Sequence, residues 1–322
     1  MARNVLVVGE LDGGEVDSTT AELLAAGSRI ADGGSISVTL LGSQAGAAAA
    51  SAFAAGAQRA FVGADGAYDE FRADQWTQAV TASVEQSSAE VVLMAQSSVG
   101  RDVGPRLAFG LDSAVAMDCI VIEDDGGTLK VTRPCYGGNA NATYSFASSP
   151  AIATVRAKSY DPLAPQAGAS GETVELPAAG ESRATIAGRE LAVAEGLQLQ
   201  EAPIVVSGGR GLGGPEGFEM MELLASTIGT DKAAVGASRA ACDLGWYPVS
   251  QQVGLTGKVV TPDLYIAIAI SGASQHMAGC SGSKTIIAVN RDADANIFNA
   301  SRWGIVGDYK EVVPALIEAL KS

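Results

Sequence analysis

Residues 205–214 read Val-Val-Ser-Gly-Gly-Arg-Gly-Leu-Gly-Gly, and this stretch joins an apolar run to a helical pattern near residues 217–228. Gly209, Gly211 and Gly214 satisfy the spacing G-x-G-x-x-G, in which small residues let backbone N–H groups approach a pyrophosphate at the start of a helix. The chain contains 39 glycines, so this spacing also arises by chance. The order of strand, glycine turn and helix indicates a Rossmann-like unit and leaves its ligand open.

The strand predicted after this turn, residues 233–236, tests whether the ligand is NAD. In an NAD-binding unit the second strand ends at an acid that binds the ribose 2′-hydroxyl. Here the strand is followed by Ala237, Ser238 and Arg239, none of which is acidic. An arginine at this position suits the 2′-phosphate of NADP, so an NADP-dependent oxidoreductase is one interpretation. Arg210, inside the glycine turn, would stand beside the phosphates.

The rest of this region predicts a compact α/β unit. Predicted strands are residues 204–207, 233–236, 264–270, 285–290 and 304–306. The last helix, Tyr309–Lys321, is predicted to bury one face that repeats at helical spacing; this face comprises Val312, Val313, Leu316, Ile317 and Leu320. Because the carboxyl ends of parallel strands share one edge, we expect the loops after these strands to form a ligand site.

The first part of the chain alternates predicted strands with predicted helices. The strands are residues 5–8, 35–41, 60–62 and 91–95, and the helices are residues 19–31, 46–55, 71–86 and 101–109. This alternation predicts βαβ units and a parallel sheet. Closely spaced strands follow at 119–123, 129–134, 142–146 and 152–156, with an Asp-Gly-Gly turn at 125–127. They predict an antiparallel insertion or edge.

Residues 158–187 are rich in Ala, Gly and Pro, which is typical of an interdomain linker, here with a short strand at 173–176. The predicted fold class is therefore α/β with two domains, each a mainly parallel sheet flanked by helices. The predicted domains are residues 1–187 and residues 188–322, the latter with a Rossmann-like fold.

The charge of the chain argues against a nucleic-acid partner, which would need a basic face. The net charge is −15, with 10 basic and 22 acidic residues up to Glu181 and 11 and 14 beyond it. The second part is thus the better host for an anionic ligand.

Cysteine and histidine usage argues against a metal site. The four cysteines are scattered, and His276 is the only histidine, whereas zinc and iron–sulfur sites need clustered ligands. The longest strongly apolar run, residues 264–270, is far shorter than the roughly 20 residues of a membrane helix. An apolar run begins at Val5 with no room for a targeting peptide before it. We therefore expect a cytoplasmic protein that is not membrane-embedded.

Further segments, each at the end of a predicted strand or in a loop, complete a recognisable pattern. Besides the glycine turn they are Gly-Ala-Ser-Arg-Ala-Ala at 236–241, Gln-Val-Gly-Leu-Thr-Gly-Lys at 252–258, Pro-Asp-Leu-Tyr-Ile-Ala at 262–267, and Ile-Ser-Gly-Ala-Ser-Gln-His at 270–276. Together they resemble the FAD-binding domain of electron transfer flavoprotein alpha subunits (the FixB family) from about Pro203 to the carboxyl terminus. Residues 100–106 and 132–140, the latter including Asn139, support the resemblance more weakly. One departure is Leu255, where the family commonly has glutamine.

The resemblance implies that FAD lies along the carboxyl edge of the second sheet. It gives no residue a catalytic role and indicates no metal. The implied cofactor-binding residues are Arg210, Ser271, Gly272 and Ala273 for the phosphates, Asn290, Asp308 and Tyr309 for the adenosine end, and Ser238, Arg239, Val253, Gly254, Leu255, Thr256, Gln275 and His276 for the flavin and ribityl chain. Gln252 and Ser274 complete the implied cofactor-binding set.

The residue types suit a flavin. Arg239 over the ring would favour negative charge near N1 and O2, His276 would add a donor at O2, and Thr256 would bond N5. Each also has a simpler interpretation: Arg239 could pair with Asp243, the histidine could be structural, and Thr256 could be a turn residue. The turn at 271–273 could cap a helix or present N–H groups to a second phosphate.

The family resemblance implies an electron carrier rather than an enzyme with its own substrate. Its donors would be dehydrogenases, such as the acyl-CoA dehydrogenases of fatty acid beta-oxidation, and its acceptor a quinone reductase. The chain would form a heterodimer with a beta subunit that carries AMP or a second FAD, bound through the first domain, and would be stable and fully loaded with flavin only in that complex. Alternatives are an NADP-dependent oxidoreductase, the alpha subunit of an electron-bifurcating flavoprotein, and a nucleotide-binding module without electron transfer.

Overall fold

The computed structural model describes residues 2–138, 140–188 and 197–321. They divide into two compact units. Unit 1 comprises the described residues up to Pro134 and Asn141–Gly188, and unit 2 comprises Cys135–Ala140 and the described residues from 197 onwards. The predicted domain boundary at 187/188 stays a prediction. Asn139 and the start of the predicted second domain, residues 189–196, lie outside the described residues.

Unit 1 is built on a parallel sheet. The chain forms strands β1 (Val5–Val8), β2 (Leu11–Asp12), β3 (Glu15–Val16), β4 (Ile36–Leu41), β5 (Arg59–Gly63), β6 (Val91–Ala95), β7 (Val115–Cys119), β8 (Val121–Asp125), β9 (Thr128–Cys135), β10 (Ala140–Ser145), β11 (Ala151–Val155) and β12 (Glu172–Glu175). The helices are α1 (Ser18–Ala31), α2 (Ala45–Ala54), α3 (Ala73–Ser87) and α4 (Ser98–Gly110). Seven strands form one sheet in the order β12-β5-β4-β1-β6-β11-β7, with every described pair parallel.

The centre of this sheet follows directly from the sequence. The strands β1 and β6 are apolar runs, and β4 is apolar except for Ser37 and Thr39. All three are buried throughout, as expected of parallel strands covered on both faces. Val5 of β1 pairs with Ile36 of β4 and with Val91 of β6. The short strand predicted near 173–176 is β12, which pairs with β5.

Two strand predictions in unit 1 are wrong. The predicted strand 119–123 is two strands: β7 ends at Cys119 in the parallel sheet, and β8 starts at Val121 in a separate sheet with β9 and β10. The chain changes direction there because Asp118 has a left-handed backbone, with φ 62°. The predicted strand 152–156 is β11, which lies in the parallel sheet between β6 and β7 rather than in an antiparallel insertion, since Ala151–Val155 is fully buried. The Asp-Gly-Gly turn does join two antiparallel strands, β8 and β9.

Unit 2 has a six-stranded sheet in the order β15-β14-β13-β16-β17-β18, and every described pair is parallel. Its strands are β13 (Ile204–Gly208), β14 (Ala233–Ser238), β15 (Gln252–Val253), β16 (Leu264–Ile268), β17 (Thr285–Asn290) and β18 (Trp303–Val306). Its helices are α5 (Glu216–Ile228), α6 (Arg239–Asp243), α7 (Ser274–Cys280) and α8 (Tyr309–Lys321). The predicted α/β class with mainly parallel, helix-flanked sheets is confirmed.

The strand order of unit 2 locates its ligand edge. From β13 the chain runs outward through β14 and β15 on one side, and then returns to β16 and runs outward through β17 and β18 on the other. The order therefore reverses between β13 and β16, and ligands of such sheets bind at the carboxyl ends of the strands flanking the reversal. These ends carry Gly209, Arg210 and residues 269–271.

The terminal helix α8 packs on this sheet through a narrower face than predicted. Val313 and Ile317 are buried, and Val312 and Leu316 pack partly against them, but Leu320 is 48% exposed. Leu320 lies in the last turn of α8. Within the described residues no helix is both long and apolar enough to cross a membrane.

Candidate cofactor site

A cleft of about 710 Å³ lies at the predicted edge of unit 2. Its volume falls within the range of small-molecule and cofactor pockets. All predicted site residues line it except Gly272, Ser274, Asp308 and Tyr309. Further residues outside the predicted cofactor-binding set also line it, among them two glycines of the quoted turn, and they are Gly209, Gly211, Ala240, Asp243, Ala269, Ile270, Arg291, Asp292 and Ala295.

The glycine turn presses against the end of β16. Gly209 N donates to Ile268 O at 2.9 Å and Gly211 N to Ala269 O at 3.2 Å. A Cβ on Gly209 would lie 2.2 Å from Ala269 O, which no packing tolerates. The glycines therefore bring two strand ends together and leave Arg210 between them at the cleft.

The helix that follows the turn is a poor phosphate cradle. Its first turn carries two acids, Glu216 and Glu219, next to Gly214. Carboxylates at a helix start satisfy the dipole that an anionic ligand would otherwise use. The cationic partner for an anion therefore comes from the turn itself, at Arg210.

Three arginines line the cleft of this strongly acidic chain: Arg210, Arg239 and Arg291. Arg239 Nε lies 3.3 Å from Asp243 Oδ2, four residues along α6, and the two side chains are 66% and 61% exposed. Arg239 therefore forms the ion pair with Asp243 that the simpler interpretation expects, and it also lines the cleft. Asp243 also offsets the charge that the 2′-phosphate of NADP would require.

His276 is a buried polar residue of the cleft. It is 7% exposed, and its Nε2 lies 2.9 Å from the Tyr265 hydroxyl, itself fully buried on β16. Burial lowers the pKa of His276 to about 4, with the Val253 backbone opposing the effect in part. The imidazole is therefore neutral at pH 7. Nδ1, on its other side, has no hydrogen-bond partner among the described residues.

The loop from Gln252 to Thr256 forms another wall of the cleft. Gln252 Nε2 donates to Thr256 Oγ1 at 3.0 Å, so the hydroxyl proton of Thr256 is available to a ligand. The backbone of Leu255 is fixed by a 2.7 Å hydrogen bond from its N to Gln275 O on α7. Its apolar side chain lines the cleft and is 60% exposed.

Two models of one protein family match most of the chain. Residues 5–181 match the model of the electron transfer flavoprotein domain, and residues 198–281 match that of the electron transfer flavoprotein FAD-binding domain. An electron transfer flavoprotein subunit alpha of Bacillus subtilis is 38% identical over 324 residues, covering 100% of this chain and 98% of the relative. Protein FixB of Clostridium saccharobutylicum is 35% identical, covering 99% of this chain and 97% of the relative. A mitochondrial subunit alpha of Arabidopsis thaliana is 34% identical, covering 98% and 89%.

The chain belongs to the electron transfer flavoprotein alpha subunit family. The resemblance inferred from the sequence is confirmed, and FAD is the cofactor of the second domain. Alpha subunits of this family pair with a beta subunit.

The cleft of this alpha subunit fits a polar, anionic cofactor. Buried polar atoms normally have hydrogen-bond partners, yet Ser238 Oγ and His276 Nδ1 have none among the described residues, and both residues line the cleft. FAD supplies phosphate anions for arginines and polar ring and ribityl atoms for such groups. The donor set and the cofactor therefore agree.

Asp308 and Tyr309 line a smaller adjoining cavity of about 240 Å³, which shares Arg210, Asn290 and Arg291 with the cleft. The Tyr309 hydroxyl donates to Leu212 O at 2.8 Å, so it holds the glycine turn against α8. Asn290 Nδ2 donates to Ile270 O at 2.9 Å, and its Oδ1 accepts from Asp292 N at 3.0 Å. Asn290 thus ties two strand ends together at this border.

Gly272 and Ser274 face a third cavity of about 500 Å³ instead of the cleft. Gly272 has φ 81°, and a Cβ there would lie 2.2 Å from Ile297 N. The turn at 271–273 is thus shaped by packing against residue 297. It leads into α7, a helix of only seven residues.

Proposed function

We propose that this chain holds FAD in the unit 2 cleft and carries electrons between proteins as part of a heterodimer with a beta subunit. The observation that carries the proposal is the combination of three arginines with two unpartnered buried polar atoms in a family FAD-binding domain. When bound, FAD supplies the redox chemistry. The chain binds, orients and electrostatically tunes it.

The cationic border of the cleft would hold the phosphates. Arg210 is fixed between two backbone contacts to β16, and Arg291 extends the same border at the end of β17. A guanidinium suits a phosphate because it offers several donors in a fixed plane. Asn290, Asp308 and Tyr309, around the smaller cavity, would receive the adenosine end.

The opposite part of the cleft would hold the flavin and ribityl chain. Thr256 would donate its hydroxyl proton, which the Gln252 contact leaves free. His276, neutral and buried, and Ser238 would lie beside this part of the cofactor. Arg239 would favour negative charge on the bound ring, to an extent reduced by Asp243. Leu255 would leave one position of the wall without a hydrogen bond.

Donor dehydrogenases, including acyl-CoA dehydrogenases, and a quinone reductase acceptor belong to this proposal, as does a role in fatty acid beta-oxidation in the cytoplasm. The alternative of an electron-bifurcating partner stays open, because it depends on whether the beta subunit holds AMP or a second FAD. Membership of the family supports both the simple and the electron-bifurcating type, and the relatives include one named Protein FixB.

Co-expression with the beta subunit tests the function. A yellow one-to-one complex is expected, in which FAD is reduced by an acyl-CoA dehydrogenase with its substrate and then reoxidised by a dye. A nucleotide-binding module would give a complex without electron transfer. A monodisperse complex without flavin would refute the proposal.

A further inference from the structure

Gln252 and Thr256 combine a buried amide with an exposed hydroxyl at the wall of the cleft. Gln252 is 5% exposed, whereas Thr256 is an exposed residue, and both line the cleft. Gln252 Nε2 donates to Thr256 Oγ1 at 3.0 Å. The contact therefore joins the interior of unit 2 to a hydroxyl that a ligand in the cleft can reach.

The direction of this hydrogen bond follows from the two atoms that form it. An amide nitrogen can only donate, so Thr256 Oγ1 is the acceptor. Within the described parts of the chain this is the only hydrogen bond of the Thr256 hydroxyl, so its own proton has no acceptor there. A threonine hydroxyl without such a partner can turn to nearby backbone groups instead. The contact thus keeps one donor available on the cleft side.

The backbone around the pair is held closely enough to fix this geometry. Gln252 belongs to β15, which pairs with β14. The loop after it folds back, so that Lys258 N donates to Gln252 O at 2.7 Å and Gly257 N donates to Gly254 O at 3.0 Å. A Cβ on Gly257 would collide with Gln252 O, so a side chain there would push the loop apart. Thr256, four residues after Gln252, is thereby returned to the amide of that side chain.

We propose that Gln252 is a positioning residue that acts on bound FAD through Thr256: its amide holds the Thr256 oxygen and leaves the hydroxyl proton to the cofactor. The inference rests on the proposed function, because the acceptor of that proton is a polar atom of FAD. A hydroxyl whose oxygen is already bound loses less rotational freedom when the cofactor binds. Removing the amide should therefore weaken FAD binding even though Gln252 itself is buried.

A double-mutant cycle separates this role from a purely structural one. The full chain is produced with its beta subunit as wild type, Gln252→Met, Thr256→Val and the double variant, and the Kd of FAD and the midpoint potential of the bound flavin are measured for each. Each single substitution should weaken FAD binding about fivefold, as expected for the loss of one neutral hydrogen bond. The double variant should match Thr256→Val in both quantities, because Gln252 has no effect on the cofactor without the hydroxyl.

The matched control is Gln75→Met in unit 1. Gln75 is also 5% exposed, and its Nε2 donates to Gly180 O at 2.6 Å. This substitution removes a buried amide donor away from the cleft, so it should leave the Kd of FAD and the midpoint potential unchanged. Thr256→Ser keeps the hydroxyl and should retain the wild-type potential.

Equal losses from Gln252→Met with and without the Thr256 hydroxyl would overturn the proposal, as would a Gln252→Met complex with wild-type affinity and potential. If Gln252→Met does not fold, the exposed Thr256 provides the test. Thr256→Val must then weaken FAD binding and shift the Gln252 side-chain amide signal of the ¹⁵N-labelled chain, while Thr256→Ser does neither, and a failure on either point overturns the proposal. A wild-type complex that binds no FAD would refute the proposed function itself, whereas the amide signal reports the Gln252–Thr256 contact without any cofactor.

Discussion

Arg239 and Asp243 face the same cleft with opposite charges, and each is more than half exposed. Arg239→Ala should therefore lower the midpoint potential of the bound flavin, because a positive charge stabilises the more negative reduced ring. Asp243→Asn should raise it by removing the competing charge. An exposed charge is worth about 1 kcal/mol, which for two electrons corresponds to about 20 mV in each direction. Redox titration of the two complexes measures both shifts.

The two substitutions should shift the midpoint potential in opposite directions, so each serves as a control for the other. A general loosening of the cleft would move both potentials the same way. Arg239→Lys should restore only part of the potential, since an ammonium cannot lie flat over a ring as a guanidinium can. Unchanged potentials at normal FAD content would remove Arg239 from any tuning role.

Glu22 on α1 is a buried carboxyl that forms no ion pair with a cationic side chain among the described residues. Burial raises its pKa to about 7, although Lys158 N donates to it at 2.7 Å. Because this pKa exceeds the unfolded value of 4.5, the folded state binds more protons between the two, and stability falls as pH rises through that window. Glu22→Gln stays neutral and keeps an acceptor for Lys158.

Glu22→Gln should therefore stabilise unit 1 more at pH 8 than at pH 5.5. Discounted for solvent screening, the difference is about 1 kcal/mol, measurable by urea unfolding at the two pH values. Glu85→Gln, at an exposed position on α3, is the matched control and should show no such difference. Equal gains at both pH values would contradict a titrating Glu22.

Among single residues, those of the cleft that lie in a recognised motif near a predicted strand end could be predicted from the sequence. Ser238 and His276 could be named because each lies in a quoted segment at the end of a predicted strand, and Val253 because it lies in a quoted segment that was read as a loop. Asp243 could not, since it reaches the cleft through α6, a five-residue helix too short to show a periodicity. Arg291 directly follows Asn290, which was predicted to bind the cofactor. Its position at the end of the predicted strand 285–290 was the signal that could have indicated it.

Among the elements, α7 and the loop around Gly254 must lie in backbone contact. A Cβ on Gly279 would lie 2.3 Å from Gly254 N and 2.5 Å from Gly254 Cα. Backbone cannot yield as a flexible side chain can, so Gly279→Ala should push α7 and this loop apart. Both line the cleft, through Gln275 and His276 on one side and Thr256 on the other.

We expect Gly279→Ala to cost about 1–3 kcal/mol and to reduce FAD content, although alanine favours helices by itself. Urea unfolding and absorbance of the purified complex give the two values. Gly46→Ala in α2 is the control, because among the described residues nothing outside its chain neighbours and the local helix backbone lies within 4 Å of its Cβ position. It should stabilise unit 1 by about 0.5–1 kcal/mol. A Gly279→Ala protein with normal flavin would show that the contact relaxes without cost.

Predictability of the elements depends on how completely their residues are buried. The strands β1 and β6 match their predicted bounds because uniform, fully buried apolar runs admit one interpretation. The pairing of β11 was not predictable from its neighbours, since proximity in sequence to β9 and β10 suggested a meander. Its place in the parallel sheet follows from burial of both faces, which a five-residue run does not reveal.

On the scale of the whole chain, charge and cofactor are distributed unequally. Most of the net charge of −15 belongs to residues up to Glu181, whereas the cleft with its three arginines lies in the less acidic remainder. A doubly charged cofactor is thereby kept in the part of the chain that repels it least.

The isolated chain leaves Arg239 and Leu255 of the cleft largely open to solvent, at 66% and 60% exposure. If the beta subunit covers this side, each partner should strengthen the binding of the other. By linkage, the factor by which the beta subunit tightens FAD must equal the factor by which FAD tightens the beta subunit. We expect a common factor of about 10–100, within the usual range of such couplings.

Four equilibrium measurements test this coupling: the Kd of FAD for the chain with and without saturating beta subunit, and the Kd of the beta subunit for the chain with and without FAD. Equal FAD affinities in the first pair would mean that the cleft is not covered in the complex, and the expectation of a chain fully loaded only with its partner would fail. Unequal factors in the two pairs would reveal a second FAD site on the beta subunit, because only additional binding breaks the equality. Unequal factors would thereby favour a partner that carries a second flavin over one that carries AMP.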